Sequence, residues 1–212
     1  MDGSGNRDAF ISKLDVAGNV LWLRNFGTIA RDGIEDVATD GFGNIYVAGL
    51  IGEESAGEDS SHTDAFLAKY DGAGNQLWLR RWGGALREVG LAVTTDPMGN
   101  AYLGGAVFSP IDGTVTKSIG FVTKFAPDGD LAWEYLRDSP ALVLFLGLAA
   151  DAEGSVYATG RQTTFVNNFY DISVVKLMQV AEPSHAMGAS VGVVALMAVG
   201  RRRTREATTL AR

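Results

Sequence analysis

Few side chains in this 212-residue chain have the types and spacing needed for catalysis. Lysine recurs at the matched positions Lys13, Lys69 and Lys124, without an obvious acid or base partner for proton transfer. The two histidines, His62 and His185, do not repeat, and no plausible nucleophile lies next to either of them in the sequence. The sequence has no phosphate-binding glycine loop with its lysine and no histidine pair with metal-ligand spacing. We therefore expect a protein without catalytic activity.

Calcium is the best hypothesis for a small ligand. Turns at 71–75 and 128–130 contain carboxylate and amide oxygens, the donors that hard cations prefer. Neither turn has the alternating carboxylates and bidentate glutamate of an EF-hand, and the acidic stretch at 53–59 reads better as a solvated loop, although it could attract cations. Hydrogen bonding within the turns is the favoured interpretation, so we assign no metal and no cofactor.

The candidate residues belong to a repeated unit. The pattern Phe-x-x-Lys occurs at Phe10, Phe66 and Phe121, and an unfinished fourth copy occupies 172–177. The copies recur about every 55 residues, a period typical of propeller blades and related β-arrays. Tryptophan and tyrosine recur in the same phase, at Trp22, Trp78 and Trp133 and at Tyr46, Tyr102 and Tyr157.

Each module contains four strand-like windows, at 9–14, 20–26, 34–39 and 45–50 in the first copy. Asp-x-x-Gly-Asn sequences between the windows predict tight turns, because aspartate accepts backbone hydrogen bonds and Gly-Asn supplies a positive φ. We expect four antiparallel strands to form a blade and the recurring aromatic residues to fill the gaps between blades. Longer segments are expected to connect one blade to the next, at 52–63, 108–119 and 161–170.

The modules differ just before their third strand-like window. Arg31-Asp32 and Arg87-Glu88 occupy matched positions, whereas the third module has Leu142-Val143 there. One hypothesis is that this loop faces solvent in the first two blades and meets another surface in the third. Local repacking is an equally open alternative.

The repeated Phe-x-x-Lys and Asp-x-x-Gly-Asn motifs, with the recurring tryptophan and tyrosine, together resemble the bacterial seven-bladed propeller repeat, the SBBP repeat, over roughly residues 8–177. The resemblance implies an all-β, β-propeller-type array of four-stranded antiparallel blades and a secreted or surface-exposed bacterial protein. The predicted blades are 8–63, 64–118 and 119–170, followed by a final strand at 171–177, within a repeat region at 1–178. Because propellers usually have four to eight blades, this array is incomplete or open, and we expect further blades or a second copy to complete it.

Composition limits the partners. The chain has no cysteine and a formal net charge of −7, and five arginines lie in its last 12 residues, so the remainder is more acidic still. Nucleic-acid binding depends on clustered Lys and Arg, so we expect no nucleic-acid partner.

The C-terminal residues change in character. A linker at 179–185 precedes an uncharged apolar segment at 186–200, which predicts a hydrophobic helix, and a basic tail at 201–212. The arginines favour a membrane segment with the repeats outside the cytoplasm; a buried core helix is a less favoured alternative. A short motif at Glu182, Pro183 and Ser184, followed by the apolar segment and the basic block, resembles the PEP-CTERM sorting signal. The resemblance implies processing by an exosortase-like protease. A plain anchor helix is the alternative. The sorting residues are Glu182, Pro183, Ser184, Arg201, Arg202 and Arg203.

We therefore expect a cell-surface or secreted module that binds or scaffolds an unidentified protein or polysaccharide and is held in the envelope by its C-terminal segment. One alternative is a fragment of a propeller lyase or hydrolase with its site at the central channel. The other is a remnant of a longer gene with no independent role.

Overall fold

The computed structural model describes residues 9–28, 30–52, 62–111, 114–138, 142–163, 170–179 and 193–200, and these residues contain strands and turns but no helix. This bears out the all-β prediction. The strands are β1 (Ala9–Leu14), β2 (Val20–Phe26), β3 (Gly33–Thr39), β4 (Ile45–Gly52), β5 (Thr63–Tyr70), β6 (Gln76–Trp82), β7 (Arg87–Thr95), β8 (Ala101–Ile111), β9 (Thr114–Phe125), β10 (Leu131–Arg137), β11 (Leu142–Ala150), β12 (Val156–Thr163), β13 (Tyr170–Gln179) and β14 (Val193–Gly200).

Consecutive strands pair antiparallel in sets. β1 and β2 form a two-stranded sheet, and β3 to β6 form a four-stranded sheet in chain order. β7 to β10 and β11 to β14 repeat that order, and one parallel bridge, between Leu142 and Ser118, joins these two sets. β7 packs against β3, β4 and β5, and β11 packs against β7, β8 and β9. The chain is thus a row of similar antiparallel sheets.

The observed sheets begin and end at different residues from the predicted blades. Gly52 pairs with Thr63, so the segment 52–63 connects two neighbouring strands of one sheet rather than two blades. The same holds for 108–119, which lies largely within β8 and β9, and for 161–170. The sheet-to-sheet connections are instead 27–32, 83–86 and 138–141. The predicted blade boundaries were wrong because a repeated sequence does not show where one unit begins. The predicted blades began near the conspicuous Phe-x-x-Lys motif, which lies in the third strand of a sheet.

The predicted turns are confirmed. In the 40–44 turn, Asp40 Oδ1 accepts hydrogen bonds from the backbone N–H groups of Phe42 and Asn44, each at 2.9 Å. The Asn44 side-chain amide donates to Asp40 Oδ2 at 2.8 Å, and Gly43 has φ of 83°. This left-handed conformation explains why glycine recurs at the fourth position of every turn.

The recurring aromatic residues lie between the sheets, as predicted, with a graded exposure. Tyr46 and Tyr102 are fully buried, and Trp78 and Trp133 are nearly so. Trp22 and Tyr157 are half-buried. The Tyr46 and Trp78 rings meet edge to face, with centroids 5.9 Å apart, within a core cluster formed by neighbouring sheets.

A bulge interrupts the first strand of each four-stranded set, and a glycine of the next strand lies beside it. The register shifts occur between Ile34 and Asp36, between Gly90 and Ala92, and between Phe145 and Gly147. A Cβ atom on Gly49 would lie 1.9 Å from the Gly33 carbonyl oxygen, and one on Gly105 would lie 2.0 Å from that of Val89. Only glycine allows the strands to approach so closely.

The acidic residues at the position that differs between modules are not solvent-exposed in the first two. Asp32 and Glu88 are buried, and Val143 is fully buried. Asp32 accepts hydrogen bonds from the Thr28 hydroxyl and the Gly52 N–H, so it closes its own loop from inside. The solvent-facing hypothesis is therefore wrong for these acidic residues, and Val143 is an apolar repacking of the same position.

The segment predicted as a C-terminal hydrophobic helix is described only in part. Over Val193–Gly200 it is a strand, β14, which pairs antiparallel with β13 over its whole length. The helix prediction thus differs from the structure here; three of the eight residues are β-branched valines, and β13 offers a backbone edge for pairing. Residues 186–192 and 201–212 lie outside the described residues. No helix in the described ranges is long and apolar enough to cross a membrane.

Candidate interaction surface

The repeated lysines join neighbouring modules. Lys13 Nζ and Trp22 Nε1 both donate to the Gly72 carbonyl oxygen, at 3.1 and 3.2 Å. One module later, Lys69 and Trp78 donate to the Pro127 carbonyl at 3.0 and 3.1 Å. Each pair of side chains thus holds the turn of the following sheet, which gives the lysines a structural role.

Sequence reasoning missed an arginine that acts beside them. Arg24 Nε donates to the Gly74 carbonyl at 3.0 Å, and Arg80 Nε donates to that of Gly129 at 2.9 Å. The guanidinium groups also lie over the Trp22 and Trp78 rings, 5.6 and 5.8 Å from the centroids. The shared Trp-Leu-Arg spacing was the available signal.

The third module differs at the arginine position. Tyr135 stands where the arginine would be, and the buried Trp133 Nε1 has no acceptor among the described residues. The turn that would follow lies in 180–192, outside those residues.

The repeated tyrosines complete the contact between modules. Lys69 Nζ lies 5.2 Å from the Tyr46 ring centroid, and Lys124 Nζ lies 5.5 Å from that of Tyr102. The Tyr46 hydroxyl is 3.1 Å from Asp40 Oδ2 and 3.2 Å from the carbonyl oxygen of Gly99, in the next module. Burial, assisted by the Asp40 charge, raises the pKa of Tyr46, so the hydroxyl keeps the proton that it donates.

The Asp71 carboxylate, considered for calcium, is engaged within its own turn. Asp71 Oδ1 accepts from the backbone N–H groups of Ala73 and Asn75 at 2.9 Å, and Asp71 Oδ2 accepts from the Asn75 side chain at 2.8 Å. Within the described ranges no cluster of three histidine or acidic residues could hold a metal ion. These contacts favour the turn interpretation.

The other residues singled out in the sequence are not brought together by the structure. His62 is exposed just before β5. His185, the acidic stretch 53–59 and the six sorting residues (Glu182, Pro183, Ser184, Arg201, Arg202 and Arg203) lie outside the described residues.

The feature most open to a partner lies at β1. Among the described strands β1 pairs only with β2, so its other edge has no partner there. A cavity of about 580 Å³ opens between this edge and the neighbouring sheet; we call it the β1 groove. Its lining includes Ile11, Lys13, Val37, Gly43, Ile45 and Val47.

We expect the fold to lose stability in acid through the turn aspartates. Burial alone would raise the pKa of Asp40, but hydrogen bonds from Asn44, Phe42 and Tyr46 outweigh it and lower the pKa below the ordinary 3.8. Because the folded pKa is the lower one, this carboxylate stabilises the fold above about pH 4, and the stabilisation is lost as pH falls through the folded pKa. The urea midpoint should therefore fall between about pH 5 and about pH 3.

Asp40→Asn tests this assignment. The variant should have a lower urea midpoint at about pH 5 and a weaker pH dependence below it, because one of the carboxylates responsible has been removed. Parallel pH profiles for the variant and the unmodified chain would contradict the role given to Asp40.

No family model matches this chain. It is similar to the Regulatory protein FlaEY of Caulobacter vibrioides, with 29% identity over 140 residues, which is 59% of this chain and 15% of that protein. It is also similar to the Uncharacterized WD repeat-containing protein L264 of Acanthamoeba polyphaga mimivirus, with 27% identity over 119 residues, 50% of this chain and 9% of that protein. The chain spans less than a fifth of the length of either relative. The second likeness fits a propeller-like repeat fold.

Proposed function

We propose that this chain is a β-propeller-type module of the bacterial cell envelope that binds or scaffolds other molecules rather than catalysing a reaction. The main support for the proposal is that the recurring polar and charged side chains make structural contacts within and between modules. The lysines and arginines hold neighbouring turns, the tyrosines and aspartates hold their own turns, and the groove beside β1 is left open.

The likeness to a WD repeat-containing protein supports the propeller assignment, because WD repeats form four-stranded blades around a central channel. The sheets β3–β6, β7–β10 and β11–β14 have the strand order of such blades. A sheet edge that no described strand pairs with favours a protein partner over a polysaccharide, since backbone pairing is the contact that such an edge provides.

The C-terminal residues are proposed to anchor the module. Residues 186–200 would enter the membrane, the arginines at 201–203 would stay on the cytoplasmic side, and Glu182, Pro183 and Ser184 would form the recognition motif for an exosortase-like protease. Val193–Gly200 pairs with β13 in the structure, so insertion requires β14 to leave that edge.

Deleting residues 186–212 tests the anchor. We expect the full-length chain, expressed with an export signal in a bacterial host, to sediment with membranes, and the deleted chain to move to the soluble fraction. Deleting only 206–212 is the matched control, because it removes seven residues but keeps the apolar segment and the arginines. Unchanged partitioning of the longer deletion would contradict the anchor, and its thermal unfolding shows whether loss of β14 harms the fold.

A further inference from the structure

We propose that the β1 groove binds an extended peptide strand by β-strand addition, and that this strand carries the repeat's own pattern of a tyrosine followed two positions later by a small residue. The inference rests on the proposed binding function and names its partner chemically. The strand would run antiparallel to β1 along the edge that no described strand occupies.

The register of the other sheets defines the position of the tyrosine. In each of them the strand beside the lysine-bearing strand places a tyrosine directly opposite that lysine, in the pairs Tyr46–Lys69, Tyr102–Lys124 and Tyr157–Lys176. The ammonium groups lie 5.2, 5.5 and 4.9 Å from the ring centroids. Lys13 is the equivalent lysine of β1. It is exposed, whereas Lys69 and Lys124 are each 7% exposed.

An acceptor for the tyrosine hydroxyl is also in place. Tyr46 and Tyr102 each reach a turn glycine of the following module, with the hydroxyl 3.2 Å from the carbonyl oxygens of Gly99 and Gly154. Gly43 is the matched glycine in the first complete sheet. Gly99 and Gly154 are buried, whereas Gly43 is exposed and lines the groove.

The apolar wall of the groove also has a buried counterpart in the next sheet. Val37 occupies the position of Val93, which is 5% exposed and packs in one cluster with Tyr46 and Ala48 of the preceding sheet. Val37 is 57% exposed. A strand that supplied a tyrosine and a small residue two positions later would cover it, because side chains at i and i+2 point to the same face.

The small residue is needed for close approach. Gly104 is the equivalent of Ala48, and a Cβ on Gly104 would already lie 3.1 Å from the Leu148 side chain of the next sheet. The groove therefore selects Tyr-x-Ala or Tyr-x-Gly over bulkier patterns. The β1 edge, which is unpaired among the described strands, selects a strand over a helix or a small molecule, because main-chain pairing supplies affinity and side-chain pockets supply specificity.

A peptide from the chain itself is the probe. A fluorescein-labelled peptide with the sequence of residues 99–107 is titrated with the full-length chain, and binding is followed by fluorescence anisotropy. We expect saturable binding. Replacing Tyr102 by alanine within the peptide should weaken binding by more than about tenfold, as expected for a buried aromatic anchor, and Tyr102→Phe by about three- to tenfold through loss of one hydrogen bond.

The groove is then changed from the protein side. Val37→Glu in the full-length chain should weaken binding of the unmodified peptide by more than about tenfold, because it places a charge against the tyrosine. Leu77→Glu is the matched control, since Leu77 is also exposed in a strand but does not line the groove. Both substitutions are at exposed positions, so both variants should keep the parent's circular dichroism spectrum.

The proposal is overturned by an absence of saturable binding, by equal binding of the alanine peptide, or by equal loss of binding in the two protein variants. A chain that self-associates in sedimentation and is not dissociated by the peptide would assign the groove to a second copy instead. Failure of the peptide experiment leaves the membrane fractionation result intact, so the two proposals can fail separately.

Discussion

Replacing Tyr102 by alanine is expected to lower the free energy of unfolding by about 3–5 kcal/mol, the range for truncating a large buried aromatic side chain. Tyr102 is fully buried and packs near Trp133, with ring centroids 6.0 Å apart. Its hydroxyl is 2.9 Å from Asp96 Oδ2 and 3.2 Å from the Gly154 carbonyl oxygen. The substitution therefore removes a contact within one sheet and another between two sheets.

Urea unfolding followed by tryptophan fluorescence measures this loss. Tyr157→Ala is the matched control, because Tyr157 has the same position in its module and bonds its own turn aspartate, but is only half-buried. Its cost should be roughly half as large, in proportion to the smaller buried area. Equal costs would show that burial between sheets is not what Tyr102 contributes.

Replacing Gly105 by alanine is expected to destabilise the chain by about 3 kcal/mol or more, the upper range for overpacking. The new methyl group would lie 2.0 Å from the Val89 carbonyl oxygen and 2.8 Å from the Phe121 ring. The oxygen belongs to a paired strand and cannot move without breaking the ladder between β7 and β8. The two strands would have to separate at the bulge.

Gly84→Ala provides a control of opposite sign. Gly84 is exposed, lacks a positive φ, and has no atom within 4 Å of the position of a new Cβ. Alanine there should be neutral or stabilise by about 0.4–1 kcal/mol, because it restricts the unfolded chain. Urea midpoints of both variants, measured together, test the contrast. A mild effect of Gly105→Ala would mean that the bulge relaxes.

The sequence predicted the strands better than their grouping. Strand positions and turns follow from local chemistry, such as the Asp-x-x-Gly-Asn turns and the β-branched residues. The strands predicted in the first module therefore begin and end within two residues of the observed strands. Grouping depends on which strands hydrogen-bond across a long connection. The segment 52–63 carries no local signal that distinguishes a hairpin from a crossover between sheets.

The sequence predicted an open or incomplete array but no particular interaction surface. An open array implies uncovered sheet edges, but the groove is defined by differences in exposure between residues that look identical in sequence, such as Val37 and Val93. Arg24 and Arg80 were missed for a related reason. Their acceptors are backbone carbonyls of another module. Every residue has a backbone carbonyl, so the residue type does not show which one accepts a hydrogen bond.

Both tryptophan-to-turn contacts of the described residues run in one direction, from an earlier module to a later one, and this sets an order of events on the ribosome. Trp22 and its acceptor at Gly72 are 50 residues apart. At about 5–20 residues per second, the indole waits roughly 3–10 s for its acceptor to be synthesised. During that interval the newest sheet exposes an aromatic face, so slow decoding just after a tryptophan should increase capture by chaperones.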